Sequence, residues 1–209
     1  MADLNKLVSG YRDFYEKYFK SDKTVYKKLS TGQSPKTLVI ACSDSRVDPA
    51  ILMNADPGDL FVIRNVANIV PPCQVDDSLH GVSAALEFAV RVLKVENIII
   101  LGHSGCAGVN ALIHPEKVEN SDFISNWIEV AKPAKNRMMM KVEGGEITKD
   151  HEHSCEREVI VLSLNNLLSF PWIVDSIEKS NLKIYGWYFD VVNGKITQYD
   201  ANTNEFEAV

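Results

Sequence analysis

The 209-residue sequence contains no run of apolar residues long enough to cross a bilayer. Its longest apolar runs, Ile98–Leu101 and Val159–Leu162, fall far short of the roughly 20 residues that a membrane helix needs. The N-terminal segment carries charges throughout and lacks the apolar centre of a secretory signal. We therefore expect a cytoplasmic protein without a membrane partner.

The sequence also has no excess of positive charge, because it contains 22 Lys and Arg residues and 28 Asp and Glu residues. The resulting net charge of -6 excludes an electrostatic nucleic-acid binder. The four cysteines, Cys42, Cys73, Cys106 and Cys155, are too few for a disulfide scaffold. With 45% hydrophobic residues, a chain of this length can bury a hydrophobic core without disulfide bonds. Its thiols thus indicate a reducing compartment, or metal or catalytic chemistry.

Short apolar segments alternate with amphipathic helical patterns along the first half of the chain. The predicted strands are 36–41, 60–63 and 97–101. An apolar stripe over 81–93 predicts a helix between the last two strands. This alternation is typical of an α/β fold with a mostly parallel central sheet flanked by helices. We expect a single domain over 1–209, with its core in 30–200.

The second half of the sequence predicts further helices and then a hairpin. Helices are expected at 121–140, at 156–170 and from Pro171 to about Ser180, with a polar loop over 144–157. Asn193-Gly194 then separates two strand-like segments. That dipeptide is a strong signal for a tight turn in which both residues have positive φ. The C-terminal edge strand is therefore expected to be antiparallel.

Residues 1–25 are predicted to form an N-terminal helical arm. Apolar side chains, many of them aromatic, recur at helical spacing over 3–20. Two placements of this amphipathic helix are open. It packs on its own domain, or it docks on a partner subunit, since terminal segments need an anchor to be ordered.

Two loops carry the side chains that could bind a metal ion or take part in catalysis. Cys42, Asp44 and Arg46 alternate in the loop after the first predicted strand, and His103 and Cys106 follow the third. The carboxyl ends of parallel strands lie at one edge of a sheet, which is where open α/β sheets build their sites. We therefore expect these two loops to converge.

Two thiolates and one imidazole form a suitable zinc set with one coordination position left for water. Asp44 is close enough in sequence to Cys42 to fill that position, which would close the site. Arg46 could instead hold Asp44 away from the metal, which would leave the site open for catalysis. The residues alone leave both arrangements open.

Other candidate residues lack an assigned role. The segment His151–Cys155 groups two histidines and a thiol, but it resembles a polar helix entry, and we interpret its histidines as surface groups. Cys73 has no partner nearby in the sequence and is interpreted as structural. His80 fits a proton shuttle and the start of a helix equally well.

The sequence around these loops resembles the β-class carbonic anhydrases. The similarity covers roughly residues 30–200 and includes ACSDSRVDP at 41–49, PGDLFVIRNVAN at 57–68, GVSAALEFAV at 81–90, LGHSGCAG at 101–108 and SLNNLLSFPWI at 163–173. The resemblance implies a lyase that reversibly hydrates carbon dioxide to bicarbonate and a proton. It also implies a mostly parallel sheet with an antiparallel edge strand.

The resemblance implies one zinc ion per chain, held by Cys42, His103 and Cys106. It further implies that Asp44 and Arg46 form the family's catalytic pair, in which Arg46 holds Asp44 and Asp44 orients a zinc-bound hydroxide. Asp44 as a fourth ligand would correspond to a closed state.

On the substrate side, Gln33 matches the glutamine that hydrogen-bonds bicarbonate in the readily active subtype of the family. Phe61 and Val66 match apolar residues of the carbon dioxide pocket. Phe88 falls where many members have tyrosine, so a hydroxyl contact is missing there. Ala107 replaces the first glycine of a common Gly-Gly pair.

The family builds each active site at a dimer interface, and dimers often pair further. The resemblance thus implies a homodimer or homotetramer, and it favours the arm docking on a partner subunit. Two alternatives remain for the function. One is a hydrolase of another linear heterocumulene such as carbon disulfide, and the other is a non-catalytic zinc or anion-binding module closed by Asp44.

Overall fold

Six strands form one sheet in a computed structural model that describes residues 3–21, 24–142 and 144–209. The strands are β1 (Thr37–Cys42), β2 (Leu60–Asn65), β3 (Asn97–His103), β4 (Lys183–Asp190), β5 (Lys195–Asp200) and β6 (Glu205–Ala208). Their order across the sheet is β2-β1-β3-β4-β5-β6. The first four run parallel, and β5 and β6 are each antiparallel to the preceding strand. The predicted mostly parallel α/β fold is confirmed, with two antiparallel strands at the end rather than one.

Helices cover the sheet and connect its parallel strands. They are α1 (Leu4–Tyr15), α2 (Thr24–Leu29), α3 (Pro49–Leu52), α4 (Gly81–Glu87), α5 (Ala107–Ile113), α6 (Ile124–Glu129), α7 (Lys132–Met139), α8 (Lys149–Leu167) and α9 (Pro171–Glu178). Two π-helical turns, Glu16–Ser21 and Phe88–Leu93, extend α1 and α4. Among the described residues no single helix has the length and apolarity to cross a membrane, and α8 and α9 pass that test only as a pair bent by 86°.

The centre of the sheet is buried on both faces. Residues 38–41 of β1 are fully buried, as expected for a parallel strand covered by helices on both sides. Helix α8 lies directly on the sheet because two strand positions facing it are glycines. A Cβ atom at Gly102 or at Gly186 would lie 2.7 Å from a carbon of Ile160. This close approach places the first half of α8 behind the carboxyl end of β3.

Two helix boundaries differ from the sequence prediction. Helix α8 begins at Lys149, so the predicted loop over 144–157 is wrong from Lys149 onward. Thr148 caps the helix by accepting the backbone N–H of His151, and the polar first turns form because this capping box satisfies their free donors. The predicted helix 121–140 is two helices, since α6 ends at Glu129 and Pro133 lies in the first turn of α7.

The Asn193-Gly194 hairpin is present, but its turn differs from the one predicted. The last paired residues are Asp190 and Lys195, so four residues form the loop. Gly194 has a φ of +65°, whereas Asn193 is not among the residues with positive φ. The Asp190 carboxylate accepts the backbone N–H groups of Val192 and Asn193, and these bonds shape the longer turn.

The N-terminal arm leaves its apolar face uncovered within one chain. None of the described residues of α1, the following π-helical turn or α2 is buried. Leu4, Leu7 and Tyr11 are 75%, 61% and 62% exposed. Aromatic rings instead pack on each other, with Phe14 and Tyr26 5.5 Å apart between centroids. Docking on a partner subunit therefore stays the prediction for this face.

Candidate metal centre

Three potential metal ligands meet at the carboxyl edge of the sheet. Cys42 is the last residue of β1, His103 is the last residue of the neighbouring β3, and Cys106 follows after a short turn. The Cys42 and Cys106 sulfurs lie 3.8 Å apart, and the candidate ligand atoms of all three residues lie within 4.8 Å of one another. The structure thus brings together the two loops as the sequence predicted.

The imidazole of His103 is arranged as a metal ligand. The side chain is buried, and its Nδ1 lies 3.0 Å from the backbone carbonyl oxygen of Ser104. Because a carbonyl only accepts, Nδ1 carries the hydrogen and Nε2 keeps its lone pair. That Nε2 is buried without a hydrogen-bond partner in the described structure. A buried polar atom in this condition is costly unless another group, such as a metal ion, occupies the space before it.

The two cysteine side chains form a hydrogen bond between their sulfur atoms. Their hydrogen bond favours a thiolate on Cys42 and lowers the pKa of that thiol. The same bond, together with burial, raises the pKa of Cys106 well above its ordinary value. Zinc binds thiolates, so loading the site must displace this remaining proton. One centre of this kind lies in the described part of the chain.

Asp44 lies beside the cluster and is paired with Arg46. The Arg46 Nε and Nη2 donate to the two carboxylate oxygens at 2.9 and 2.7 Å, and the Arg46 backbone N–H adds a third bond of 2.9 Å. This contact holds the pKa of Asp44 well below its usual range. The Asp44 Oδ2 is 3.9 Å from Nε2 of His103, so the ionised carboxylate borders the space where a metal would sit.

Arg64 supports this loop and is a residue that the sequence reasoning missed. Its Nε donates to the Cys42 carbonyl at 3.0 Å, its Nη2 to the Asp44 carbonyl at 2.7 Å, and its Nη1 to the Asp48 carboxylate at 3.0 Å. The sequence feature that could have identified Arg64 is its position as a lone arginine near the end of an apolar strand, β2. The side chain fixes the backbone on both sides of Ser43.

Two of the predicted pocket residues lie near the metal ligands in the same chain. Val66 follows the residue that pairs with Cys42, and it packs so closely on the start of α5 that a Cβ at Gly108 would lie 2.6 Å from its Cγ1. Ala107 is exposed as the first residue of α5, directly after Cys106.

The other three pocket candidates lie away from the metal ligands of their own chain. Phe61 pairs with Leu38, four residues before Cys42, which corresponds to about 13 Å along the strand. Phe88 stacks on Phe61 at 5.9 Å between ring centroids and is 43% exposed. Gln33 is exposed on the amino-terminal side of β1.

The remaining sequence candidates take structural positions. Burial raises the pKa of the Cys155 thiol to about 12, which makes it unreactive. The Cys73 backbone N–H donates to Ser169. His80 Nε2 lies 2.8 Å from the Asp76 carboxylate. His151 belongs to the cap of α8, and His153 on the same helix contacts a buried carboxylate.

The structure defines an α/β protein with one buried site of two thiols and an imidazole at the carboxyl edge of its parallel strands. A family model described as carbonic anhydrase matches residues 37–196. The chain belongs to the β-class carbonic anhydrase family and is an enzyme of that class, as its sequence predicted.

Two curated relatives from Arabidopsis thaliana show the extent of the similarity. Beta carbonic anhydrase 3 is 39% identical over 203 residues, which cover 95% of this chain and 78% of the relative. The chloroplastic beta carbonic anhydrase 5 is 42% identical over 170 residues, and the match spans 55% of that longer protein.

Solved structures match over nearly the whole chain. The β-carbonic anhydrase CcaA superposes with a TM-score of 0.90 at 32% identity and full coverage of both chains. A structure described among two tetrameric β-carbonic anhydrases of Sordaria macrospora gives a TM-score of 0.80 at 27% identity, covering 93% of this chain and 95% of that one.

Proposed function

We propose that the chain catalyses reversible hydration of carbon dioxide to bicarbonate and a proton at a zinc ion held by Cys42, His103 and Cys106. The observation that carries this proposal is the unpartnered, buried Nε2 of His103 beside two thiol sulfurs. Two thiolates and an imidazole are ligands that zinc prefers, and they leave one position open. When bound, zinc supplies the Lewis acidity that makes water a nucleophile at neutral pH.

Asp44 is proposed to orient the attacking water. Its pKa is depressed by Arg46, so the carboxylate is ionised at neutral pH and acts only as a hydrogen-bond acceptor. Oδ1 already accepts the backbone N–H and the Nε of Arg46, whereas Oδ2 accepts only Nη2, so Oδ2 keeps a lone pair that can accept the hydrogen of the water. Accepting that hydrogen turns an oxygen lone pair of the water toward the carbon of the substrate. Arg46 keeps Asp44 in this orientation by donating to both of its oxygens.

Val66 and Ala107 are proposed to flank the substrate. Carbon dioxide has no hydrogen-bond donor and no net dipole, so an apolar surface holds it without competing with water for polar contacts. Both residues border the metal ligands, through the end of β2 and the start of α5. The product is an anion, and its release requires water to return to the site.

The active unit is proposed to be a homodimer, alone or paired into a tetramer. Gln33, Phe61 and Phe88 lie away from the ligands of their own chain, so they contact substrate only if they reach the site of a second copy. The uncovered apolar face of the arm supplies a surface for such an association. In that dimer Gln33 would hydrogen-bond bicarbonate, as in the readily active subtype. Analytical ultracentrifugation of the full chain tests this: a monomer that remains fully active would contradict it.

Stopped-flow carbon dioxide hydration, combined with zinc analysis of the same preparation, tests the proposed function. We expect one zinc per chain and measurable hydration, and we expect Asp44→Asn to retain zinc while losing most of the rate. A zinc-loaded chain without turnover would support the closed, non-catalytic module instead. Turnover of carbon disulfide but not of carbon dioxide would support the other heterocumulene hydrolase.

A further inference from the structure

Helix α8 brings one buried carboxylate to the back of the metal centre. Glu156 follows the histidine-rich segment that the sequence left without a role, and the residue is 4% exposed. Its Oε1 accepts the backbone N–H of Cys106 at 2.9 Å. The carboxylate therefore touches the main chain of a proposed zinc ligand from a helix that contributes no ligand itself.

The second oxygen of Glu156 is held by the surrounding structure. Oε2 accepts the hydroxyl of Tyr188 at 2.8 Å and lies 3.0 Å from Nδ1 of His153. These groups come from β4 and from the preceding turn of α8. A buried carboxylate accepts hydrogen bonds and needs donors on both oxygens, which this arrangement provides. Glu156 is thus fixed independently of its contact with Cys106.

The peptide unit between Gly105 and Cys106 is held at both of its ends. Its N–H donates to Glu156, while its carbonyl oxygen accepts from Nη2 of Arg46 at 3.0 Å. In a trans peptide these two groups point in opposite directions, so rotating the unit breaks both bonds. Gly105 has a φ of +68°, and Cys106 has no side-chain capping bond to fix the turn in another way.

We propose that Glu156 is a positioning residue for the metal centre, which it orients through the Gly105–Cys106 peptide. By fixing this peptide, the carboxylate aims the Cys106 sulfur at the metal. Through the carbonyl of the same peptide it also sets where Arg46, and hence Asp44, can lie. The inference rests on the proposed zinc role of Cys106 and adds a hydrogen-bond path from α8 to the Asp44–Arg46 pair.

Glu156→Gln tests this role with a minimal change in size. The amide is neutral and its oxygen is a weaker acceptor than a carboxylate, so the bond from the Cys106 N–H loses its charge assistance, while Tyr188 can turn its hydroxyl to accept from the new NH₂ group. Glu152→Gln is the matched control. Glu152 lies one turn earlier on α8 and lines the same cavity of about 240 Å³, but its carboxylate contacts Asn110 rather than a ligand.

The primary measurement is zinc release to a competing chelator, followed for the full chain at neutral pH. Loss of a group that orients a metal ligand typically lowers metal affinity or activity about 10- to 100-fold. We expect Glu156→Gln to lower the zinc affinity by a factor in that range. The zinc affinity of Glu152→Gln should equal that of the wild-type chain. The second measurement is the visible spectrum of the Co²⁺-loaded protein, whose thiolate-to-metal bands should shift only in the Glu156 variant.

Three outcomes are distinguishable. A wild-type chain that binds no zinc would contradict the proposed function itself. A wild-type chain that binds zinc, with Glu156→Gln and Glu152→Gln indistinguishable from it in zinc release and in the Co²⁺ spectrum, would overturn only the role of Glu156. Should Glu156→Gln fail to fold, Tyr188→Phe decides: it removes one donor from the carboxylate, and faster zinc release supports the proposal, whereas unchanged release refutes it.

Discussion

Replacing Arg46 by lysine tests the contact on which the proposed mechanism most depends. Arg46 spans both oxygens of Asp44 with Nε and Nη2, at 2.9 and 2.7 Å, and the same Nη2 reaches the Gly105 carbonyl. Lysine keeps the positive charge but offers a compact ammonium in place of the planar fork. It therefore cannot hold both oxygens of Asp44 in one orientation.

The size of the effect follows from the exposure of this pair. Hydrogen bonds to charged groups contribute about 1.5–3 kcal/mol each when well formed. The Arg46 side chain is 50% exposed, so solvent screening reduces the contribution of the whole bidentate contact to about 1–3 kcal/mol. If that free energy orients Asp44 in the transition state, the Arg46→Lys enzyme should lose about 5- to 150-fold in kcat/KM.

The assay is stopped-flow carbon dioxide hydration at equal zinc content, with Arg91→Lys as the matched control. Arg91 forms an exposed pair with Glu87 on a helix surface, and its replacement should leave kcat/KM unchanged. An Arg46→Lys enzyme that matches the wild-type kcat/KM would refute the view that the planar fork positions Asp44.

Two further predictions concern stability. Gly108→Ala places a Cβ 2.6 Å from Val66 Cγ1 and 3.1 Å from the Ala67 Cβ. Because this contact is too close, we expect the substitution to lower the free energy of unfolding, measured by urea titration, by about 1–3 kcal/mol. An unchanged unfolding midpoint would contradict the packing argument. The depressed pKa of Asp44 means that its pairing with Arg46 stabilises the fold above the ordinary carboxyl pKa of about 3.9 and ceases to do so as the pH falls through the lower folded value. Zinc-free Asp44→Asn should therefore be less stable than the wild-type chain at pH 7, by an amount that shrinks below about pH 4; a difference that shrinks toward alkaline pH would show the sign to be wrong.

The clustering of the three candidate metal ligands could be predicted because local rules determine their positions. Parallel strands end at one edge, so Cys42 and His103 meet once β1 and β3 are neighbours, and Cys106 follows within one turn. The start of α8 was missed because its polar first turns carry no apolar stripe, although Thr148 and the acidic residues after it were a usable capping signal. Strand β6 escaped prediction because Glu205–Ala208 is too short and too charged to show an apolar pattern.

The supporting residues could not be predicted from local patterns. Glu156 lies 50 positions beyond Cys106 in the sequence, and only the packing of α8 on the sheet brings the two together. Likewise, the resemblance matched Gln33, Phe61 and Phe88 to a pocket, but a single sequence does not say which copy of the chain that pocket belongs to. In the structure these residues lie away from the candidate metal ligands of their own chain. They can therefore line the pocket only if two copies of the chain associate, which is a prediction that the sequence match alone did not make.

Arg64 links the pairing register of β1 and β2 to the backbone of the metal centre. It pairs with Ala41 on β1, and from that position its side chain bonds the carbonyls of Cys42 and Asp44. A slip of one residue between β1 and β2 would turn the guanidinium to the opposite face of the sheet. The proposed zinc ligand Cys42 and the loop that carries Asp44 would then lose their support from β2. The apolar residues that fix this register therefore also contribute to the geometry of the metal centre.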